Sequence, residues 1–150
     1  MQIGYKTGEK TMIIIACVDD RNGMMFNNRR QSRDSVVCED ILLECRGKKL
    51  YMSSYSGKLF GEAEGADIRI SEDILNEAGK GDACFVEETE TAGFEEYIGK
   101  VILYKWNRRY PADRQFSLDL SDGSWELKRT EEFQGSSHEK VTKEVYERIR

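Results

Sequence analysis

Met12-Ile-Ile-Ile-Ala-Cys-Val18, followed by Asp19-Asp-Arg-Asn-Gly23-Met24, is the stretch that decides the fold. An unbroken apolar run of strand length, rich in β-branched residues and with no polar face, is the pattern of a strand buried on both sides of a parallel sheet. Asp19-Asp20-Arg21-Asn22-Gly23 is turn chemistry and ends it. A polar loop, Asn27 to Arg33, then leads to Asp34 and Ser35, which read as a helix start. Val36, Val37, Ile41 and Leu42 keep one apolar helical face, joined by Cys38 and Cys45, and Gly47 stops it, so a helix is predicted from Asp34 to about Arg46. Leu50-Tyr51-Met52 reads as a strand, Ser54 to Phe60 as a short helix, Ile68-Arg69-Ile70 as a strand, Glu72 to Ala78 as a helix ending at Gly79, and Ala83 to Val86 as a buried strand. Such alternation predicts a parallel sheet with helices on its faces and right-handed crossovers. Val101 to Tyr104, Phe116 to Leu118, Trp125 to Leu127 and the segment from His138 to Arg150 read as later strands, antiparallel or at an edge.

The 150 residues carry 28 acidic and 23 basic side chains, a formal net charge of −5, with 39% hydrophobic and 34% charged residues. That composition belongs to a globular chain with a core. No linker, repeat or low-complexity tract divides it, so residues 12–150 are expected to form one domain, and the polar residues 1–11 an N-terminal extension. No apolar run approaches the ~20 residues of a membrane span. The apolar stretch behind Lys6 and Lys10, Ile13 to Val18, is shorter than the roughly 7–15 residues of a signal-peptide core and lacks a cleavage motif. A cytoplasmic protein is the expectation, and free core thiols are expected at Cys17, Cys38, Cys45 and Cys84, which lack zinc-site spacing. The acidic balance argues against DNA as a partner and leaves RNA open through a local basic patch. Pairing of sheet edges with a second copy stays open as well.

Strand Met12 to Val18 with Val-Asp-x-x-x-Gly-Met at Val18 to Met24 resembles the opening of dihydrofolate reductase, where that loop closes over the active site. Asp34, eleven positions after Gly23, stands where the family keeps a carboxylate on its first helix. Lys49-Leu50-Tyr51-Met52, Lys100 to Tyr104, and Trp125 to Phe133 with Glu144 to Arg148 follow in the family's order, so the resemblance spans Met12 to Arg150. It implies a three-layer α/β/α fold with a mostly parallel central sheet and an antiparallel C-terminal hairpin. Asp34 becomes the candidate catalytic acid, and Cys38 and Tyr104 candidate ligand contacts.

Other family positions differ. Arg29-Arg30-Gln31-Ser32-Arg33-Asp34 keeps only the acid of Trp-x-Leu-Pro-x-Asp, and Cys38 replaces the pterin-facing aromatic. Ser53, Ser54 and Ser56 stand where Gly-Arg-x-Thr holds cofactor phosphate, offering hydroxyls without a cation. Glu87-Glu88 replaces the paired glycines at the cofactor diphosphate, where each close like-charge contact costs roughly 1–4 kcal/mol. NADPH is therefore not the expected cofactor.

Ligands of open α/β sheets sit beyond the carboxyl ends of the strands. Asp19, Asp20, Glu87 and Glu88 follow two such strands and Asp34 starts the adjoining helix, a composition suited to Mg²⁺ or Mn²⁺. Arg29, Arg30 and Arg33 would then grip a phosphate. Against this, acids after strands are ordinary turn residues, Glu87 to Glu96 reads equally as an exposed acidic loop, and Asp34 equally as a helix N-cap. Ser136-Ser137-His138 reads as a polar hairpin turn rather than a nucleophile and its base, and Trp106-Asn-Arg-Arg-Tyr110 as strand-end decoration or a base-stacking patch. The reading is a dihydrofolate reductase-like domain that binds or processes a small ligand other than folate and NADPH, a nucleotide among the candidates. A metal-assisted phosphodiesterase or ribonuclease-like hydrolase, a divergent NADPH-dependent reductase and a non-enzymatic binding module are the alternatives.

Overall fold

The computed structural model describes residues 11–61 and 64–150, and residues 1–10 of the expected extension lie outside them. Strand β1, Met12–Val18, occupies the middle of a seven-stranded sheet. Its residues alternate between two cores, with Met12, Ile14, Ala16 and Val18 on one face and Ile15 on the other. That double burial is why the run carries no polar face. The remaining strands are β2 (Gly23–Phe26), β3 (Arg29–Arg30), β4 (Lys49–Met52), β5 (Asp67–Ile70), β6 (Ala83–Phe85), β7 (Ile98–Lys105), β8 (Arg114–Gln115), β9 (Trp125–Phe133) and β10 (Val141–Arg148).

The large sheet has the order β5-β4-β6-β1-β7-β10-β9. The first five strands are parallel, and β10 runs antiparallel to both β7 and β9. Helices α1 (Ser35–Glu44) and α2 (Ser54–Phe60) cover one face, where Val37, Ile41, Leu42 and Phe60 meet Ile15, Phe85 and Ile102. The other face is closed by the short helix α3 (Ile74–Glu77) together with Phe116, Leu118 and Leu120. No helix among the described residues is long and apolar enough to cross a membrane.

Helix α1 starts one residue later than predicted and stops at Glu44, because Asp34 is its N-cap and accepts from the Val36 and Val37 amides. Phe116 to Leu118 is not a strand. Its apolar side chains pack onto the core as irregular chain, and the strand is the preceding pair Arg114–Gln115. The polar loop after β1 contains a hairpin: β2 and β3 pair antiparallel across Asn27 and Asn28, at φ of 51° and 61°. Left-handed conformations at both central residues are what a two-residue hairpin turn requires, and asparagine tolerates them. With β8 these strands form a second, three-stranded sheet.

Candidate functional site

Strands β1 and β6 lie side by side with Ile15 opposite Phe85, so the chain leaves both at the same carboxyl edge. Strand β3 reaches this edge through Arg30. Its Nε and Nη2 donate to the two Glu87 carboxylate oxygens at 2.8 and 3.0 Å, its amide donates to Tyr55 Oη at 2.9 Å, and its guanidinium lies 4.4 Å from the Tyr55 ring centre. Ser56 Oγ donates to Glu87 Oε1 at 2.8 Å, and Ser53 Oγ lies 3.1 Å from both Glu88 oxygens. Ser54 is exposed, and its amide donates to Glu72 Oε2 at 2.9 Å. Two of the three hydroxyls read as cofactor contacts, those of Ser53 and Ser56, are thus turned onto the protein's own carboxylates. Glu87 is buried rather than part of an exposed acidic loop.

The acidic segments do not assemble into a metal-ligand set. Asp19 is buried and accepts from the amides of Arg21, Gly23 and Tyr110 and from Gln31 Nε2. Burial acts to raise its pKa, but these donors outweigh that and hold it below the usual range. Asp20 is exposed. Among the described residues no three His, Cys, Asp or Glu come together as a metal would need.

The three arginines also separate. Arg33 lines a cleft of about 420 Å³ between α1 and α2, with Asp34, Cys38, Leu42, Leu59 and Phe60. Arg29 and Arg30 line a second cleft, of about 480 Å³, with Phe26, Gln31 and Tyr110. Tyr104 faces neither, being fully buried with its hydroxyl donating to Asp40 at 2.6 Å. Cys38 does reach the first cleft, and burial pushes its thiol up to about 11.

Asp34 is the most heavily bonded side chain in this region. Oδ1 accepts from Val36, Val37 and Ser136 amides at 3.0, 3.2 and 2.9 Å. Oδ2 accepts from the Ser137 amide at 2.8 Å, and lies 3.1 Å from the Ser137 hydroxyl oxygen and 3.4 Å from His138 Nδ1. Burial acts to raise its pKa, but the Ser136, Ser137 and Val37 amides and His138 pull it well below the usual carboxylate range. A group held so firmly as a carboxylate is a poor proton donor.

His138, read as part of a polar turn, is buried. Its ring stacks on Trp106 at 4.4 Å between centres, and Nε2 lies 2.9 Å from Tyr110 Oη. Sequence reasoning noted Trp106 to Tyr110 and Ser136 to His138 separately. Only the crossing of β10 beside β7 brings them together.

No family model matches the chain, and no curated protein matches it. Among solved structures it is similar to dihydrofolate reductase from Enterococcus faecalis complexed with NADP(H) and RAB-propyl. That likeness has a TM-score of 0.65 at 12% identity and covers 99% of this chain and 100% of that one. A likeness of this extent at so low an identity is one of architecture. The strand order, the central β1 and the antiparallel C-terminal hairpin together with this match establish a dihydrofolate reductase-like fold.

Proposed function

We propose that this domain binds a small organic anion in the cleft between α1 and α2 and does not use NADPH. The observation that carries the reading is Arg33, exposed at that cleft, whose guanidinium makes no hydrogen bond or ion pair among the described residues. The walls behind it, Cys38, Leu42, Leu59 and Phe60, are apolar or weakly polar. Ser35, Ser136 and the carboxylates of Asp34, already held by four amides, and Glu39 also line it, so the largely apolar wall with Arg33 as its one cation suits a ligand with a flat or aliphatic body and a carboxylate or phosphate at the Arg33 end. A nucleoside monophosphate has that form.

The residues do not fit NADPH. Ser53 and Ser56 are committed to Glu88 and Glu87, and Arg30 to Glu87. A diphosphate approaching this edge would meet Glu88, a close contact costing about 4 kcal/mol at an intermediate dielectric, beside an Arg30 guanidinium already spent on Glu87.

Thermal-shift titration tests both halves. A ligand at 100 times its dissociation constant stabilises the fold by about 2.7 kcal/mol. Nucleoside monophosphates are expected to raise the Tm saturably in the wild type, and not in Arg33→Gln or in Cys38→Phe, where the ring fills the cleft. A saturable shift with NADPH, or equal nucleotide shifts in all three proteins, overturns the reading.

A further inference from the structure

The chain Asp34–His138–Tyr110 has the connectivity of an activated nucleophile: a reacting hydroxyl, a base beside it and a carboxylate behind the base. Proton positions follow from the partners. Ser137 Oγ lies 2.6 Å from the Arg33 carbonyl, which can only accept, so the serine proton points there. His138 Nδ1, 3.0 Å from Ser137 Oγ and 3.4 Å from the ionised Asp34, then faces two acceptors and carries the ring proton. Nε2 is left with its lone pair, and the Tyr110 hydroxyl at 2.9 Å donates to it. Trp106 stacks on the ring and holds its plane.

Tyr110 is half-buried and forms part of the wall of the second cleft, apart from the α1–α2 cleft. Arg29 is exposed in that wall and has no ion pair or hydrogen bond from its side chain among the described residues. In the same wall Gln31 Oε1 is buried and makes no hydrogen bond. A buried acceptor left without a partner is a place for a ligand's donor.

We propose that Tyr110 Oη is the reacting group of this second cleft, a nucleophile toward small anionic acyl or sulfonyl compounds whose charge is met by Arg29. In the step, the Tyr110 oxygen forms a bond to the electrophilic carbon or sulfur, the bond to the leaving group breaks, and the phenol proton passes to His138 Nε2. The resulting imidazolium is balanced by Asp34. On the solvent side of His138, Arg108, Glu139 and Lys140 line a third cleft with it.

The probe is 4-(fluorosulfonyl)benzoate, which gives a stable sulfonate ester and releases fluoride. Modification sites and rates are read by peptide mass spectrometry. Tyr110 is expected to react about 100-fold faster than the other tyrosines, the scale of general-base assistance. With a base beside it, its rate should rise less steeply with pH than that of a free phenol, and Arg29→Gln should slow it. An unassisted phenol instead reacts about tenfold faster per pH unit up to its own pKa near 10. That rising profile in the wild type, labelling of Tyr110 no faster than of the half-buried Tyr55, Tyr97 and Tyr146, or no labelling at all would each overturn the proposal. The wild-type pH profile stands whether or not His138→Gln folds. In a folded His138→Gln, loss of the rate advantage supports the relay and an unchanged rate overturns it.

Discussion

Asp34 Oδ2 and His138 Nδ1 stand 3.4 Å apart with both side chains withdrawn from solvent, tying the first turn of α1 to the turn between β9 and β10. The same carboxylate closes the helix start and collects the Ser136 and Ser137 amides, so one side chain joins two parts of the chain far apart in sequence. Asp34→Asn keeps one oxygen for the cap but sets an amide NH₂ against the Ser137 N–H. It should cost about 1–3 kcal/mol for each donor orphaned, measured as a lower urea midpoint with unchanged slope.

The pH dependence of that cost has a definite sign. The folded pKa of Asp34 is depressed, so the unfolded state binds its proton first as pH falls. Its stabilisation is complete above the unfolded value, about 4, and is lost as pH drops from there through the folded pKa. The stability gap between wild type and Asp34→Asn should be constant from pH 5 to 7 and narrow below pH 4. A gap that widens on acidification contradicts the assignment.

Gly135 makes the approach of the two segments feasible. A Cβ built on it would lie 2.2 Å from Asp34 Oδ2 and 2.8 Å from its Cγ. Asp34 cannot swing away without releasing the amides it holds. Gly135→Ala should therefore destabilise by about 1–3 kcal/mol, the scale of overpacking. Gly79→Ala, whose new Cβ would meet Asp82 Oδ2 at an ordinary 3.6 Å, serves as the near-neutral control.

Arg30 and Glu87 form an ion pair with side chains 17% and 9% exposed. Removing one partner strands the other, so Arg30→Met should cost about 3–5 kcal/mol. Adding Glu87→Gln removes the stranded charge and should recover a large part of that loss. Chemical denaturation of the two singles and the double closes the cycle. Additive losses would mean that the pair is not coupled.

The sequence showed the parallel half of the fold because burial on both faces leaves an unbroken apolar run at Met12 to Val18, and helix α1 because its apolar spacing and Asp34 cap are local signals. The small sheet was missed because β3 is only two residues of arginine, whose strand conformation is imposed by pairing with β2 rather than by propensity. Its marker, Asn27-Asn28 between Phe26 and Arg29, is a hairpin signal in the sequence. The site was less legible. Nothing local to Glu87 announces Arg30 as its partner, and nothing local to His138 announces Trp106 and Tyr110. Those meetings depend on strand order, which places β6 beside β1 and β10 beside β7.

Lys143 offers a contrast to Arg30. Its side chain is 3% exposed, and its ammonium contacts Asp40 Oδ2 at 2.6 Å and Glu44, joining β10 to α1, while Tyr104 Oη also donates to Asp40. The two carboxylates are 24% and 20% exposed, and Glu44 keeps Arg129 as a second partner. Water and Arg129 can therefore take over when the lysine is removed, and Lys143→Met should cost about 1–3 kcal/mol, less than Arg30→Met. Burial acts to raise the pKa of Glu44, but Lys143 and then Arg129 outweigh it and hold the carboxyl below its ordinary value. This contribution is present above the ordinary glutamate range and lost as pH falls through the folded pKa. Lys143→Met should raise the Glu44 pKa in a carboxyl NMR titration and flatten the acid limb of the stability curve. An unmoved Glu44 titration would assign its depression to Arg129 alone.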